Sequence, residues 1–357
     1  MNRRHKQLGW IAGMVLGGVA LAGACTIPVF RYALDRWPAD PYGLAVDDKW
    51  ARSDAGEKLL KDLGGLAYRL QFVPAEKPAA EVDLLLPARG AVPIWSGPAD
   101  AAVLKTLAMS PARRQIAAGI LAGNSAVWIV VRGNDAARNR EFEARLEKRL
   151  KYLESVAAIP PQDPFDPESR LGPGPELRVG FKTIAVDRAD AAEQMLIKMV
   201  AGPNGAGLLE SGEPFAGPVF GRGRVLGAFT DEQLDEEGID ELCLFLLGAC
   251  SCQVKAQNPG WDLLVDTDWD TELTGVAMAA LKVESEAESP KESMTSSKLA
   301  PENADDVAAP EMVVFSGPAE KSATNPVMAS AAPARELVLG MGLLALAVIW
   351  LGWKSGN

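Results

Sequence analysis

The chain has 357 residues, 48% of them hydrophobic and 23% charged, with a formal net charge of −11. That is the composition of a globular protein. Its acidity, without any basic stripe interleaved with aromatics, excludes nucleic acid as a partner, because phosphates demand a cationic face. The one histidine is His5, ahead of every folded segment, which removes His-based triads, His metal sites and His general bases from the body.

Residues 1–7 carry Arg3, Arg4 and Lys6, which predict a cytoplasmic tail. Residues 8–30 contain no charge and are long enough to cross roughly 30 Å of hydrocarbon as a helix. A second reading stays open: LAGAC resembles a lipoprotein export signal, with Cys25 as the acylated residue. Either way the body leaves the cytoplasm, and the expected location is the bacterial inner membrane with a periplasmic body.

The body begins near residue 40. Strands are predicted at 66–73, 82–86, 126–131, 176–186 and 218–223. A helix is predicted after Ser110, with Pro111 in its first position and Gly123 at its stop. Residues 141–156 and 190–200 read as further helices. Alternating strands and helices imply an α/β fold.

An internal repeat sharpens this. Pro93 and Pro218 are 125 residues apart, as are Gly123 and Gly248, and the same offset places Trp95 on Phe220 and Ile129 on Val254. The expected fold is therefore two tandem thioredoxin-like βαβ lobes, at 40–157 and 176–275, joined by a Pro/Gly linker at 158–175. The thioredoxin likeness is an analogy of element order, and neither lobe carries Cys-x-x-Cys. Residues 276–332, rich in Ala, Ser, Pro and Glu, predict a disordered tether. Residues 337–353 read as a second transmembrane helix, with Trp350 and Trp353 at its interface.

Three motifs group the chain: FGRGR at 220–224, CSCQVK followed by NPG from Cys250 to Gly260, and the stretch from Pro28 to Tyr42. In these the chain resembles an uncharacterised family of bacterial membrane-anchored proteins. The resemblance implies membership and no activity.

The same motifs hold the candidate site residues. On a strand, Cys250 and Cys252 would share a face with Cα atoms about 6.6 Å apart, near the limit for a disulfide and hence strained and reducible. The competing reading is buried packing, favoured by Ser125 and Val127 at the equivalent places of the first lobe. A soft-metal thiolate site including Cys243 is a third. Arg222 and Arg224, set between glycines, would suit an anion, or else pair with the acidic run from Asp231 to Glu237. Lys255 and Asn258 lie beside them in the repeat geometry. Asp262, Asp266, Asp268 and Asp270 alternate as on a solvated strand face, and lack the glycine and glutamate of an EF-hand.

The expected function is a membrane-tethered, extracytoplasmic, non-catalytic module that binds a membrane or periplasmic partner or a small ligand. No cofactor is expected. The alternative is a thiol-redox or soft-metal protein using Cys250 and Cys252.

Overall fold

The computed structural model describes residues 26–87, 93–162, 165–250 and 253–288. Strand β5 (Ala126–Val131) organises them. All six residues of AVWIVV are buried, as expected of a strand covered on both faces. Period two still sorts its side chains: Val127, Ile129 and Val131 join one core, and Ala126, Trp128 and Val130 join another.

β5 pairs in parallel with β6 (Phe181–Val186) and antiparallel with β7 (Phe215–Phe220). The sheet continues through β8 (Arg224–Val225) to β10 (Trp261–Asp262), and β9 (Phe229–Thr230) pairs with the start of β7. A second mixed sheet has the order β2-β1-β3-β4, from β1 (Tyr42–Val46), β2 (Leu70–Pro74), β3 (Glu81–Leu85) and β4 (Pro93–Pro98).

The helices are α1 (Val29–Arg36), α2 (Asp48–Ala51), α3 (Asp54–Leu63), α4 (Ala101–Ala108), α5 (Pro111–Leu121), α6 (Ala136–Val156), α7 (Gln194–Ala201), α8 (Ala206–Ser211), α9 (Glu236–Leu247) and α10 (Trp269–Glu288). The first core joins residues of both sheets to α3, α4, α5 and α7. The second lies under α1, α6 and α9.

The start of α5 follows the sequence reading. Ser110 Oγ accepts from Arg113 N at 3.3 Å, Pro111 needs no donor there, and Gly123 at φ +88° ends the helix.

Other expectations are corrected. The 125-residue offset does place α5 on α9, but the sheets do not follow the lobes, because β5 of the first span is hydrogen-bonded to β6 and β7 of the second. The equivalence also fails at the strand: Ile129 is fully buried whereas Val254 is 53% exposed, and residues 255–257 form a 3-10 turn. The segment 66–73 starts as 3-10 helix (Gly64–Arg69) and becomes strand only at Leu70. The 158–175 linker is pinned: Arg31 donates to Gly172 O at 2.7 Å and to Pro175 O, while Gly172 N donates to Asp35 Oδ2 at 2.8 Å.

Residues expected at the end of the first membrane span, Ile27, Val29 and Phe30, are buried in the second core. The expected tether begins inside α10. Residues 8–25, 289–332 and 337–353 lie outside the described residues. Among those described, no helix is long and apolar enough to cross a membrane.

The first core holds one uncomfortable charge. Arg113 is 1% exposed, its Nη2 meets only Met199 Sδ at 3.1 Å, and its Nε and Nη1 have no hydrogen-bond partner. Burial pulls its pKa down to about 10, partly opposed by Tyr42 and Glu193. Glu193 is buried too, and its Oε1 accepts from Ala112 N at 2.8 Å, placing an anion at the start of α5. Replacing both members of a poorly satisfied buried charge pair by apolar residues is neutral or favourable, whereas removing one strands the other. We therefore expect Arg113→Met and Glu193→Leu each to lower stability by about 3 kcal/mol, and the double variant to recover most of that loss. Urea unfolding of the three variants checks this.

Candidate functional site

Two glycine-bearing turns build the site. The turn from β7 to β8 needs left-handed backbone at Gly221 (φ +56°) and Gly223 (φ +92°). A Cβ on Gly221 would lie 2.7 Å from the Ala33 Cβ of α1. The turn Asn258-Pro259-Gly260 ends at φ +103°, where a Cβ would lie 2.1 Å from Val225 O. Only glycine allows both close approaches. The first turn sends Arg222 and Arg224 in different directions, and the second brings Asp262 under Arg224.

Arg224 is 5% and Asp262 2% exposed. Arg224 Nη1 donates to Asp262 Oδ1 at 3.1 Å, Nε to Pro259 O at 3.0 Å and Nη2 to Asn258 O at 3.0 Å. The other carboxylate oxygen, Asp262 Oδ2, accepts from Lys255 Nζ at 2.5 Å and from Asp40 N at 2.6 Å. Lys255 Nζ also reaches Pro38 O at 2.5 Å and Asp40 Oδ1 at 3.0 Å. The Arg224 guanidinium lies 5.8 Å from the Trp37 ring centroid, and Trp37 Nε1 donates to Gln253 O at 3.0 Å. Tyr42 OH donates to the Asp262 carbonyl at 2.9 Å. Burial first, and then the Asp262 charge, pushes the Tyr42 phenol well above its ordinary pKa.

Two cations and two carboxylates thus neutralise one another, and their directed bonds are intramolecular. Of the residues expected to bind a ligand, Arg224, Lys255 and Asn258 do come together, but they clamp the segment Trp37–Tyr42 onto the Asn-Pro-Gly turn. Arg222 stands apart. It donates to Leu34 O at 2.8 Å and pairs at 2.8 Å with the exposed Asp270. The carboxylates are Asp262 and Asp270 and not the 231–237 run, whose Asp231 and Glu236 pair with Arg138 and Arg149 of α6.

The evenly spaced aspartates do not share a face. Asp262 is buried in the clamp, and Asp268 caps α10 by accepting from Thr271 N at 3.2 Å and Thr271 Oγ1 at 2.8 Å. Among the described residues, no group of three or more His, Cys, Asp or Glu is placed to hold a metal.

Cys250 and Cys243 are buried in the second core. Burial raises the Cys243 thiol pKa, with a smaller push from Asp240, which is the setting of an inert packing cysteine. Cys25 and Cys252 lie outside the described residues.

Beside the clamp is a cleft of about 760 Å³. Gly43, Gln71, Val73 and Leu85 of the four-stranded sheet line one side, and Lys255, Asn258 and Trp261 the other. Gly43 keeps its floor low, since a Cβ there would come within 3.1 Å of Leu85 Cδ1 and Val73 Cγ2. A second cleft of about 460 Å³ lies between Arg69, Arg222, Trp269 and Asp266 to Asp270.

Sequence reasoning missed Trp37, Asp40 and Tyr42 as clamp residues and took Asp262 as solvated. Asp40 and Asp262 are 222 positions apart, so no local pattern joins them. The usable signal was that all three grouping motifs contribute to this clamp. Comparison of the chain with protein-family models, curated proteins and solved structures finds no match.

Breaking a buried pair strands its partner. Asp262→Ala is expected to cost about 3–5 kcal/mol, whereas Arg222→Ala at the exposed pair costs roughly 1 kcal/mol or less; denaturant midpoints of the two variants separate them. Cys243 is expected to resist an aromatic disulfide reagent in the folded chain and to react once denaturant is added, as mass spectrometry of the labelled peptides would show.

Proposed function

We propose that the chain is a membrane-tethered, extracytoplasmic binding module that holds a partner segment or a small ligand of mixed polarity in the 760 Å³ cleft, without chemistry on it. The observation that carries this reading is the state of the charged groups at the end of the cleft. Arg224, Lys255 and Asp262 are bonded to one another and to backbone, so no nucleophile or general base is poised there. What the cleft offers is shape, with an apolar floor of Val73 and Leu85 beside the indole of Trp261. Concave sites with a few fixed polar groups are the usual form of ligand pockets.

The tether is read from the uncharged run of residues 8–30 and from 337–353, with the body outside the cytoplasm. The parallel β5–β6 pair beside antiparallel β7 lends the central sheet a partial likeness to thioredoxin-like folds. The missing Cys-x-x-Cys and the burial of Cys250 favour binding over thiol chemistry in such a fold.

The test places a photo-crosslinking amino acid at Gln71 in the full chain, in native membranes. The expected result is a discrete adduct, peptide or small molecule by mass, that is lost when Ala256→Trp fills the cleft mouth. No adduct, or the same adduct in the Ala256→Trp background, would overturn the cleft as a binding site.

A further inference from the structure

Where α6 and α9 end, several large apolar side chains are exposed, beside the exposed Lys151 and Arg170. Helices α6 and α9 run side by side in the same direction: Arg145 Nη2 donates to Asp231 O at 2.6 Å, and further along Arg149 pairs with Asp240 at 2.5 Å. Their C-terminal ends therefore lie together. At that end Val156 of α6 is 56% exposed, and Leu244 and Phe245 of α9 are 54% and 37% exposed. Phe165, in the loop that follows α6, is 92% exposed.

The charges of α9 are at its other end, as Glu236, Glu237, Asp240 and Glu241. Two acids near the apolar end are bonded inward. Glu154 accepts from Phe181 N at 2.7 Å, and Asp166 accepts from Ser169 Oγ at 2.7 Å.

This is also where the N-terminal segment joins the body. Thr26 Oγ1 lies 2.8 Å from Ser169 Oγ, and Gln162 Nε2 donates to Thr26 O at 2.9 Å. Val29 N donates to Gly248 O at 3.0 Å, just past the end of α9, and Cys250 N donates to Ile27 O at 2.9 Å. Ile27 is fully buried. The uncharged run, residues 8–30, passes into the body without a charged linker, and its last residues are buried there.

We infer that this end, formed by Val156, Phe165, Leu244 and Phe245, is seated on the phospholipid bilayer that holds the N-terminal run. The inference rests on the anchor reading above. Consecutive Cα atoms are about 3.8 Å apart, so a span leaving the bilayer at residue 25 brings Thr26 and its surroundings to the headgroup level. Aromatic rings and aliphatic side chains gain there by burial among headgroups and upper acyl chains, and they cover an apolar patch that would otherwise face water. The body is thereby held in one orientation on the membrane, unlike a domain on a flexible stalk.

The test uses the full chain in phosphatidylcholine–phosphatidylglycerol vesicles containing nitroxide-labelled lipid. A fluorescent amino acid is incorporated in place of Phe165, Phe245 or Tyr68. Tyr68 is 90% exposed and lines the cleft beside Pro38, past the opposite end of α1. The chain is expected to float with the vesicles, with quenching several-fold stronger at 165 and 245 than at 68. With the probe in place of Val156, the double variant Phe165→Glu and Phe245→Glu is expected to float still, with quenching reduced toward the value at 68. Equal quenching at all three positions in floating chain overturns the seating and leaves the anchor intact, pointing to a protein cover for the patch. A chain that stays in the aqueous fraction overturns the anchor and the seating together.

Discussion

The buried carboxylate of Asp262 is the constraint on which the arrangement of the N-terminal segment depends. A carboxylate removed from water must find full compensation inside the protein, and Asp262 finds it in Arg224, Lys255 and the Asp40 amide. Each partner arrives on a different element. Arg224 comes from the start of β8 just past Gly223, Lys255 from a 3-10 turn, and Asp40 from the segment between α1 and β1. Satisfying one anion thus fixes three stretches of chain, and the same fixing sets one wall of the larger cleft.

A second pair does similar work nearby. Arg31 and Asp35, one turn apart on α1 and nearly inaccessible, bond to each other at 2.9 Å. Their remaining donor and acceptor capacity goes to the backbone of Gly172 and Pro175. A stretch rich in proline and glycine looks like a linker by composition, yet here its carbonyls answer a buried guanidinium. The polar groups of α1 therefore bind it on one side to this stretch, while Val29, Phe30, Tyr32 and Ala33 face the second core and Leu34 the first.

How much of this was legible depended on range. β5 and α5 were readable to within a residue or so, because AVWIVV is continuously apolar and Ser-Pro with a later glycine is strong local punctuation. The pairing of β5 with β7 was not, because an offset that matches helix to helix carries no information about which strands share a sheet. The candidate residues Arg224, Lys255 and Asn258 were found by their rarity and setting, and they do meet. Their role was misjudged because Asp262, which Arg224 and Lys255 bind, is itself tied to Asp40 and Tyr42 over two hundred positions away, and an aspartate in an alternating acidic run gives no sign that it will be buried. The thiols show the same limit. A Cys-x-Cys pattern suggests chemistry, and only the position of Cys250 in the second core shows packing.

The wide separation of these partners has a consequence for synthesis. α1 and the residues just after it dock against the stretch near Gly172, the turn after β7 and the segment ending at Asp262. Chain closure over such distances is what makes a fold slow to complete. The segment from α1 to Asp40 is made before the elements it docks on, and its last partner, Asp262, follows Asp40 by more than two hundred residues. Were it held early at a membrane, it would wait there as an undocked strap, and the folding of the body would finish by returning to its own beginning.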